Sequence, residues 1–479
     1  MASEELWRLS AQDSVLRTRA GDVRAEELVA AAIARLDQVN PALNAVVVDT
    51  RTAALERARA LDKARDGGAS PGALFGLPVT IKINVDQAGE ATSNGIAALK
   101  DVIAPDDAPI VRALQDAGAV VIGRTNTPEF SFRADTDNAL HGRTRNPWGD
   151  HVSPGGSSGG AGSAVMAGIG ALGHGNDIGG SLRFPAAANG AVTVKPGLGR
   201  VAAWNPSQTA ERGMLAQAMS VQGLLCRAAA DLHLAMPAAI APDPRDPFHV
   251  PMPWRGPAIE GPIRVAFTRE TYDFDLHPEV EAALLTAKEA LEDAGYQVEE
   301  VETPSAREAG LAGYRTLLGE VRALMGPDIR AKGTAQIQDI FDTYFRSFDP
   351  FDGTQLLQMM AQRSHYAREW SLFLQDYPLV LTPFQPQPFF APDRDTEGDD
   401  GVREVLGSAY WSYAMNFMGL PAGVMPARLA DLPRGPQPIP VQIVGQRWRE
   451  DLVVDAMAEI EGRVGRMCDP LWARMAAGV

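Results

Sequence analysis

The chain has 479 residues, of which 45% are apolar and 22% are charged, and its formal net charge is −16. This composition is typical of a globular protein long enough for one large domain. The negative charge argues against nucleic acid or an anionic membrane surface as the main partner. Only six of the 44 basic residues are lysines, so a lysine inside an apolar segment is unusual in this chain.

The N-terminal residues and the cysteines indicate the compartment. The first twelve residues, MASEELWRLSAQ, carry acidic side chains and no apolar run, so we expect no signal peptide. Cys226 and Cys468 are too few for a disulfide framework and are expected to be buried thiols. Together with the lack of a long apolar stretch, these features predict a cytoplasmic protein that does not span a membrane.

Helices and strands are predicted to alternate along the first part of the chain. Apolar side chains at helical spacing predict a helix over residues 22–39, and alternating ones predict a strand from Val79 to Val85. Further segments read as a strand over 45–48, a helix over 108–117 that ends at Gly118, and a buried strand over 119–123.

The same alternation returns after a proline-rich segment. Residues 237–262 hold eight of the 35 prolines, which suits an extended connection on the surface. A strand over 264–268, a helix from Pro278 to Gly295 and a strand over 297–301 then follow. Alternating strands and helices favour an α/β fold with a largely parallel sheet.

A glycine-rich stretch over residues 153–200 is the predicted centre of the chemistry. Gly168, Gly170 and Gly173 match a nucleotide-binding G-x-G-x-x-G pattern, but small helix-compatible residues precede them where that fingerprint needs a strand. Residues 155–159 match the G-x-S-x-G nucleophile elbow, which also needs a strand directly before it. Neither of these two interpretations fits its required context.

A third interpretation joins Lys82, Ser157 and Ser181. Around them the chain reads GLPVTIKIN from Gly76, PGGSSGG from Pro154 and NDIGGSLRFPA from Asn176. Further stretches are GRTNTPEF, VKP, QGLLCRAAAD, NFMGLPAGVMP and PVQIVG. In these motifs, which run through nearly the whole chain, the sequence resembles the amidase signature hydrolases. The resemblance implies one domain over residues 1–479, with a twisted mixed sheet covered by helices on both faces.

The resemblance also implies a Ser–Ser–Lys triad. Ser181 is the expected nucleophile, Ser157 the proton shuttle after a cis peptide bond from Gly156, and Lys82 the general base. A serine hydroxyl is a weak nucleophile until a base takes its proton. A lysine can be that base only when neutral, which requires burial to lower its pKa from about 10.4. Arginine could not replace it because the guanidinium stays protonated.

Other implied roles belong to the backbone and side chains around the nucleophile. The N–H groups of four consecutive residues are expected to form the oxyanion hole: Ile178, Gly179, Gly180 and Ser181. Ser158, Asp177 and Arg183 are expected to support the site together with Gly156. No metal or organic cofactor is implied. Ile83 stands where the family usually has an acidic residue, and on a strand it would face away from Lys82.

The substrate is less well determined. The family motifs lie mainly at residues 70–231, and the proline-rich connection at 237–262 and a C-terminal sheet and helix segment at 405–479 follow them. Residues 330–400 are rich in aromatic side chains, with Phe341, Phe345 and Phe348 at helical spacing. These residues form either a helix core or an apolar entrance over the triad.

An apolar entrance would admit a bulky apolar or aryl amide or anilide. The same triad could instead cleave carbamates (urethanes) or esters. Two further roles stay open: the amidase subunit of a transamidation complex, and a non-catalytic binding protein of the same fold. The expected partner is a small-molecule amide or carbamate, and the sequence does not decide whether the chain forms a homo-oligomer.

Overall fold

One mixed β-sheet runs through the part of the chain that the computed structural model describes, residues 5–478. The described residues form 11 strands in the order β1-β3-β2-β4-β6-β5-β10-β11-β9-β7-β8. The strands are β1 (Val46–Asp49), β2 (Pro78–Lys82), β3 (Val120–Thr125), β4 (Leu172–Asp177), β5 (Val192–Lys195), β6 (Val221–Cys226), β7 (Arg264–Phe267), β8 (Gln297–Glu300), β9 (Leu379–Pro383), β10 (Ala422–Leu432) and β11 (Gly435–Gly445).

Helices cover both faces of this sheet. Apolar residues of α1, α4, α8, α9 and α16 share a core with one face, while α2, α3, α5, α6, α10 and α15 pack on the other. The α-helices of the described residues are α1 (Ala11–Ala20), α2 (Ala25–Leu43), α3 (Arg51–Asp66), α4 (Pro109–Asp116), α5 (Gly159–Met166), α6 (Arg183–Asn189), α7 (Met214–Met219), α8 (Ala229–Ala239), α9 (Pro278–Asp293), α10 (Ala306–Glu320), α11 (Gly326–Lys332), α12 (Ala335–Phe348), α13 (Gly353–Asp376), α14 (Gly398–Val402), α15 (Tyr410–Met418), α16 (Glu450–Val464) and α17 (Cys468–Ala477).

Short helical turns complete the secondary structure. Two π-helical turns span Val321–Met325 and Arg403–Gly407, and both lie next to the site described below. The 3₁₀ turns are Leu6–Arg8, Ala97–Leu99, Glu129–Ser131 and Arg394–Thr396.

The mixed sheet confirms the predicted fold class, but antiparallel pairs outnumber parallel ones. Only β2–β3, β2–β4, β7–β8 and β7–β9 are parallel among the described strands. Six further pairs, in the centre and at one edge, are antiparallel. The expectation of a largely parallel sheet is therefore corrected. The strand–helix alternation detected the two parallel groups, but periodicity carries no information on how β5, β6, β10 and β11 pair between them.

The predicted elements are present with shifted ends. The helix expected over 22–39 is α2, the strand expected to reach Val85 ends at Lys82, and the helix from Pro278 is α9. Residues 240–263, all of which the structure describes, contain no helix or strand. Cys226 and Cys468 are free and buried, as expected. No helix of residues 5–478 combines the length and hydrophobicity that a membrane span requires.

Three neighbouring parallel strands position the site. Thr80 of β2 lies opposite Gly123 of β3 and Gly173 of β4. Because the strands are parallel, their carboxyl ends meet at one edge of the sheet, where α/β proteins commonly bind ligands. Lys82 ends β2, and the turn that carries Ser181 follows β4 at this edge.

Candidate active site

Lys82 is fully buried at the end of β2 and contacts three polar groups. Its Nζ lies 2.7 Å from Ser157 Oγ, 3.0 Å from Ser158 Oγ and 2.9 Å from Asn176 Oδ1. Burial holds the pKa of Lys82 well below its usual value, and the carboxylate of Asp177 opposes this only in part. A buried amine with a lowered pKa is suited to accept a proton near neutral pH.

Asn176, the third partner of the lysine, is itself held by Asn84. Asn176 Oδ1 accepts from Lys82 and also from Asn84 Nδ2 at 3.3 Å, and Asn176 Nδ2 donates to Asn84 Oδ1 at 3.0 Å. Asn84 Nδ2 further donates to Ser131 Oγ at 3.0 Å. Asn84 and Asn176 are not among the site residues predicted from the sequence. In the sequence, only their positions inside two of the motifs could have indicated a role: Asn84 lies two residues after Lys82, and Asn176 lies directly before Asp177.

A neutral histidine lies behind the backbone of Lys82. His174 is buried in β4, and this burial lowers its pKa to about 3. The Lys82 N–H donates to His174 Nδ1 at 3.4 Å, so the ring proton lies on Nε2, which donates to Gln222 Oε1 at 3.0 Å. The sequence motifs predict no role for His174. In the structure it links β2 to β6 through β4.

Ser157 and Ser158 precede helix α5 in a close-packed loop. The Gly156–Ser157 peptide bond is cis, as the resemblance implies. A Cβ on Gly156 would lie 2.3 Å from the carbonyl oxygen of Arg133, so only glycine fits there. Ser158 N–H donates to the Ser181 carbonyl at 3.2 Å. This bond ties the loop of the two serines to the turn of the expected nucleophile.

The turn between β4 and α6 is built on the carboxylate of Asp177. Gly180 N–H donates to Asp177 Oδ1 at 2.7 Å and Leu182 N–H to Oδ2 at 3.2 Å. Arg183 forms a bidentate ion pair with the same carboxylate, both distances being 3.1 Å, and both side chains are 0% exposed. Burial alone would raise the pKa of Asp177, but Arg183 and the hydrogen bonds bring it down to about 2.

Arg183 also reaches the C-terminal part of the chain. It donates to the Ser412 carbonyl at 3.1 Å, to Gln442 Oε1 at 3.0 Å and to Asn416 Oδ1. Asn416 Nδ2 in turn donates a hydrogen bond to Asp177 Oδ1 at 3.0 Å. Neither Asp177 nor Arg183 is a surface charge, and the pair fixes the turn against α15 and β11.

The four expected oxyanion donors differ in their availability. Gly180 N–H is already engaged by Asp177. Within residues 5–478, the N–H groups of Ile178, Gly179 and Ser181 and the hydroxyl of Ser181 make no hydrogen bond. Three backbone donors of this turn thus remain available to an oxygen atom beside Ser181.

Ser181 lies where two cavities meet. The larger one, the wide cavity, has a volume of about 500 Å³, and Ser157, Asn176 and Gln222 line it together with Ser181. Its apolar lining includes Phe130, Trp204, Leu324 and Met325. The smaller one, the chamber, has a volume of about 30 Å³. The described residues that line the chamber are Ser131, Phe132, Arg133, Ala134, Gly156, Ile178, Gly179, Ser181, Phe184, Tyr314, Leu317, Leu406 and Tyr413.

The aromatic residues predicted to form an entrance lie behind these cavities. Those named between 341 and 390 line neither cavity. Instead, Phe341 packs 5.0 Å from Phe132, and Phe384 packs 5.1 Å from Phe184, as measured between ring centroids. The expectation of an aromatic entrance from this stretch is corrected, because the helical spacing from Phe341 buries that face of α12 in the core.

The acidic, histidine and cysteine side chains of the described residues form no group of three or more that could hold a metal ion. The polar groups beside Ser181 are hydroxyls, amides and one amine. Their arrangement can move a proton from a hydroxyl to a buried amine and can stabilise an oxyanion.

The chain is similar to known amidases along most of its length. The sequence model of the Amidase family matches residues 27–454. The chain is 46% identical to an indoleacetamide hydrolase from Bradyrhizobium diazoefficiens, over 98% of this chain and 89% of that protein. It is 31% identical to an acylamidase from Rhodococcus erythropolis, over 96% of each chain.

A solved structure extends the likeness to the fold. A bacterial aryl acylamidase of the amidase signature family superposes with a TM-score of 0.81 at 25% identity, covering 95% of this chain and 96% of that one.

Proposed function

The chain belongs to the amidase family of amide-cleaving hydrolases, and on this basis we propose that it cleaves aryl amides through an acyl-enzyme on Ser181. The observation that carries the proposal is the 2.7 Å contact between Lys82 Nζ and Ser157 Oγ in a fully buried setting. Ser157 and Ser181 line the same cavity, which supports a proton relay from the nucleophile through Ser157 to the lysine.

The hydrogen bonds of Lys82 support the direction of this relay. A neutral amine has two N–H donors and one lone pair. Asn176 Oδ1 can only accept, and Ser158, whose hydroxyl donates to the Asn176 carbonyl at 3.4 Å, accepts as well. The lone pair is therefore left for the hydroxyl proton of Ser157. In this arrangement Ser157 can give its proton to Lys82 while it takes the proton of Ser181.

The proposed reaction proceeds in two steps. Ser181 Oγ attacks the carbonyl carbon and loses its proton to Ser157, which passes its own proton to Lys82. The oxyanion is held by the free N–H groups of Ile178, Gly179 and Ser181, and one such donor contributes about 3 kcal/mol to lowering the barrier. Ser157 then protonates the leaving nitrogen and recovers its proton from Lys82. Water releases the acid by the same relay.

An aromatic group on the substrate is supported by the lining of the wide cavity. Its volume of about 500 Å³ lies within the range of small-molecule sites. Phe130 and Trp204 present aromatic surface, and Leu324 and Met325 add aliphatic surface. The relatives named indoleacetamide hydrolase and aryl acylamidase are both named for amides that carry an aromatic group.

The nucleophile is tested by labelling with a serine-reactive fluorophosphonate. We expect the wild type to be labelled once and Ser181→Ala not at all, with a loss of hydrolysis of about 10³-fold or more. Ser347→Ala, which removes an exposed serine on α12, is the matched control and should label like the wild type. Equal labelling of Ser181→Ala and the wild type would contradict the assignment.

The substrate class is tested with a panel of acetamide, glutamine, anilides, aryl carbamates and indoleacetamide. We expect the aromatic compounds to be preferred. A strong preference for acetamide would contradict the aryl proposal, and a preference for glutamine would favour an ammonia-supplying role in a transamidation complex.

A further inference from the structure

A nearly buried glutamine on β6 presents an unused hydrogen-bond donor to the wide cavity. Gln222 is 6% exposed and lines this cavity together with Ser157 and Ser181. Its Oε1 accepts from His174 Nε2 at 3.0 Å, whereas its Nε2 makes no hydrogen bond within residues 5–478. This nitrogen is open to the cavity and is not enclosed by protein atoms. Two N–H groups of a fixed amide are therefore free there.

The orientation of this amide follows from the backbone of Lys82. A peptide N–H can only donate, so His174 Nδ1, which receives the Lys82 N–H, carries no proton. The proton of the neutral ring lies on Nε2, which can pair only with an acceptor. The opposite orientation of Gln222 would bring its NH₂ group against this N–H. His174 therefore holds the carbonyl oxygen of Gln222, and the NH₂ group points the other way.

The pairing of two strands places the free amide next to the proposed relay. Gln222 lies directly opposite Asn176 in the antiparallel pair of β4 and β6. Directly opposed side chains of such a pair lie on the same face of the sheet, with Cβ atoms about 5 Å apart. Asn176 contacts Lys82 Nζ, and it also lines the wide cavity. The donor of Gln222 is thus one side chain away from the group that holds the proposed base.

The acceptors closest to Gln222 along the two strands are already occupied. Asn176 Oδ1 accepts from Lys82 and Asn84, and the Ser220 hydroxyl, two residues before Gln222, accepts from Arg212 Nη1 at 3.1 Å. A substrate oxygen that reaches Gln222 would gain a hydrogen bond at little cost in side-chain freedom, because His174 already fixes the amide.

The charges on the cavity wall indicate that this oxygen is uncharged. The charged residues that line the wide cavity, among those that the structure describes, are Glu211, Arg212 and Glu320. Two carboxylates and one guanidinium give the wall no excess of positive charge. An ether or carbonyl oxygen therefore suits the site better than a carboxylate does.

We propose that Gln222 is a specificity-determining residue that donates a hydrogen bond to an uncharged acceptor oxygen of the substrate. This inference rests on the proposed function and narrows it. The preferred aryl amides carry an ether or carbonyl oxygen on their aromatic part, close to the scissile bond. An amide of the same shape without this oxygen leaves the N–H groups of Gln222 unpaired and is disfavoured.

Pairs of substrates with the same shape test this donor. A methoxy group and an ethyl group are similar in size, but only the methoxy group carries an acceptor. We would measure kcat/KM for the ortho, meta and para isomers of methoxy- and ethylacetanilide, and for the same pairs of ring-substituted phenylacetamides. Both series are needed because the proposed function does not assign the ring to one side of the scissile bond. We expect at least one methoxy isomer to exceed its ethyl counterpart by about 5-fold or more.

Two substitutions separate the donor role of Gln222 from its contact with His174. Gln222→Glu keeps an oxygen for His174 and removes the donor, whereas Gln222→Met removes both. Each should lower the methoxy-to-ethyl ratio of kcat/KM by about 5-fold or more. The charge of the glutamate acts on both substrates alike, so it does not change this ratio. Only Gln222→Met should also lower Tm, because it leaves the buried His174 N–H without a partner.

Gln336→Glu makes the same chemical change at an exposed position of α12 and is the matched control, with an unchanged ratio. A wild type that does not distinguish methoxy from ethyl in any pair would overturn the inference, and so would an unchanged ratio in Gln222→Glu. If neither variant of Gln222 is active, the wild-type pairs decide.

The proposed function is judged separately. Labelling of the wild type at Ser181 by the fluorophosphonate, together with hydrolysis of unsubstituted acetanilide or phenylacetamide, would leave it standing when the inference on Gln222 fails. Absence of both labelling and hydrolysis would overturn the proposed function and the inference with it.

Discussion

At the scale of single residues, the proposed chemistry depends on a lysine that the fold keeps away from water. Lys82 is 0% exposed, and its three polar contacts come from one carbonyl oxygen and two hydroxyls, none of which carries a negative charge. No charged group therefore contacts the amine, and burial outweighs the other influences and favours its neutral form. The alternation of residues around Lys82 predicted its burial, but not its partner Asn176, which lies 94 residues away.

Substitution of Lys82 by arginine should remove the base and keep the positive charge. We expect Lys82→Arg to lower kcat by about 10²–10⁴-fold, the usual range for loss of a general base. Because the pKa of Lys82 is lowered, wild-type kcat/KM should fall as the pH drops through this lowered pKa, and this acidic limb should be absent in the variant.

Lys288→Arg is the matched control, since Lys288 forms a partly exposed ion pair with Glu292 on α9. It should have wild-type kinetics. Circular dichroism would show whether both variants are folded, and a folded Lys82→Arg protein with more than about a tenth of the wild-type kcat would contradict the assignment of the base.

At the scale of elements, the turn between β4 and α6 determines where the proposed nucleophile, Ser181, lies. Gly180 has φ +125°, and a Cβ there would meet the Phe184 ring and the Ser412 hydroxyl, each at 2.6 Å. The DIGGS motif predicted this turn and the importance of its glycines. It could not predict Ser412, Asn416 and Gln442, because contacts between distant segments leave no local periodic signal in one sequence.

Gly180→Ala is expected to displace the nucleophile turn and to lower kcat by about 10²-fold, as small displacements of reacting groups do. Gly295→Ala is the control that separates backbone strain from a steric clash. Gly295 also has positive φ, but no atom lies where its Cβ would be. This control should lower Tm by a few degrees and leave kcat unchanged. Equal effects of both substitutions on kcat would contradict a specific role for the contacts of Gly180.

At the scale of the whole molecule, helices from distant parts of the chain meet at two carboxylates, the buried Asp231 and the partly buried Glu461. Glu461 of α16 accepts from the Ala229 N–H at 3.2 Å, and Asp231 of α8 accepts from the Gln12 N–H of α1 at the same distance. Burial raises the pKa of Glu461 to about 7, with the nearby Asp231 adding to the effect and Arg466 opposing it. Burial also raises the pKa of Asp231.

The raised pKa of Glu461 predicts a pH dependence of stability. The carboxyl of Glu461 binds its proton more tightly in the folded state than in the unfolded chain. This tighter binding stabilises the folded state fully below pH 4.5, and the stabilisation is lost as the pH rises through about 7. The contribution of Glu461 to the free energy of unfolding should therefore fall by up to about 3 kcal/mol across this window, and Glu461→Gln should show a smaller fall than the wild type, because only the raised pKa of Asp231 remains.

Urea unfolding at several pH values would measure this difference. Glu459→Gln, an exposed position on the same helix, is the matched control and should follow the wild type. Parallel pH profiles of Glu461→Gln and the wild type would contradict the prediction.

How much of the molecule the sequence predicts depends on the range of the interactions. Local patterns located α2, α4, α9 and several strands, because the spacing of apolar residues follows directly from helix and strand geometry. The motifs identified the family and predicted the residues of the triad. The antiparallel pairing of β10 with β5 and β11, and the residues of the chamber at 314, 406 and 413, come from segments far apart in the chain.

The positions in the chain of the residues that bind Arg183 also affect when the site can form during translation. The triad residues and Asp177 emerge from the ribosome in the first half of synthesis, but Ser412 and Gln442 follow Arg183 by 229 and 259 residues. A nascent chain therefore exposes all its reactive side chains long before the buried guanidinium can be satisfied. We expect translation to yield hydrolytic activity only near its end, so a prematurely released chain would be inert.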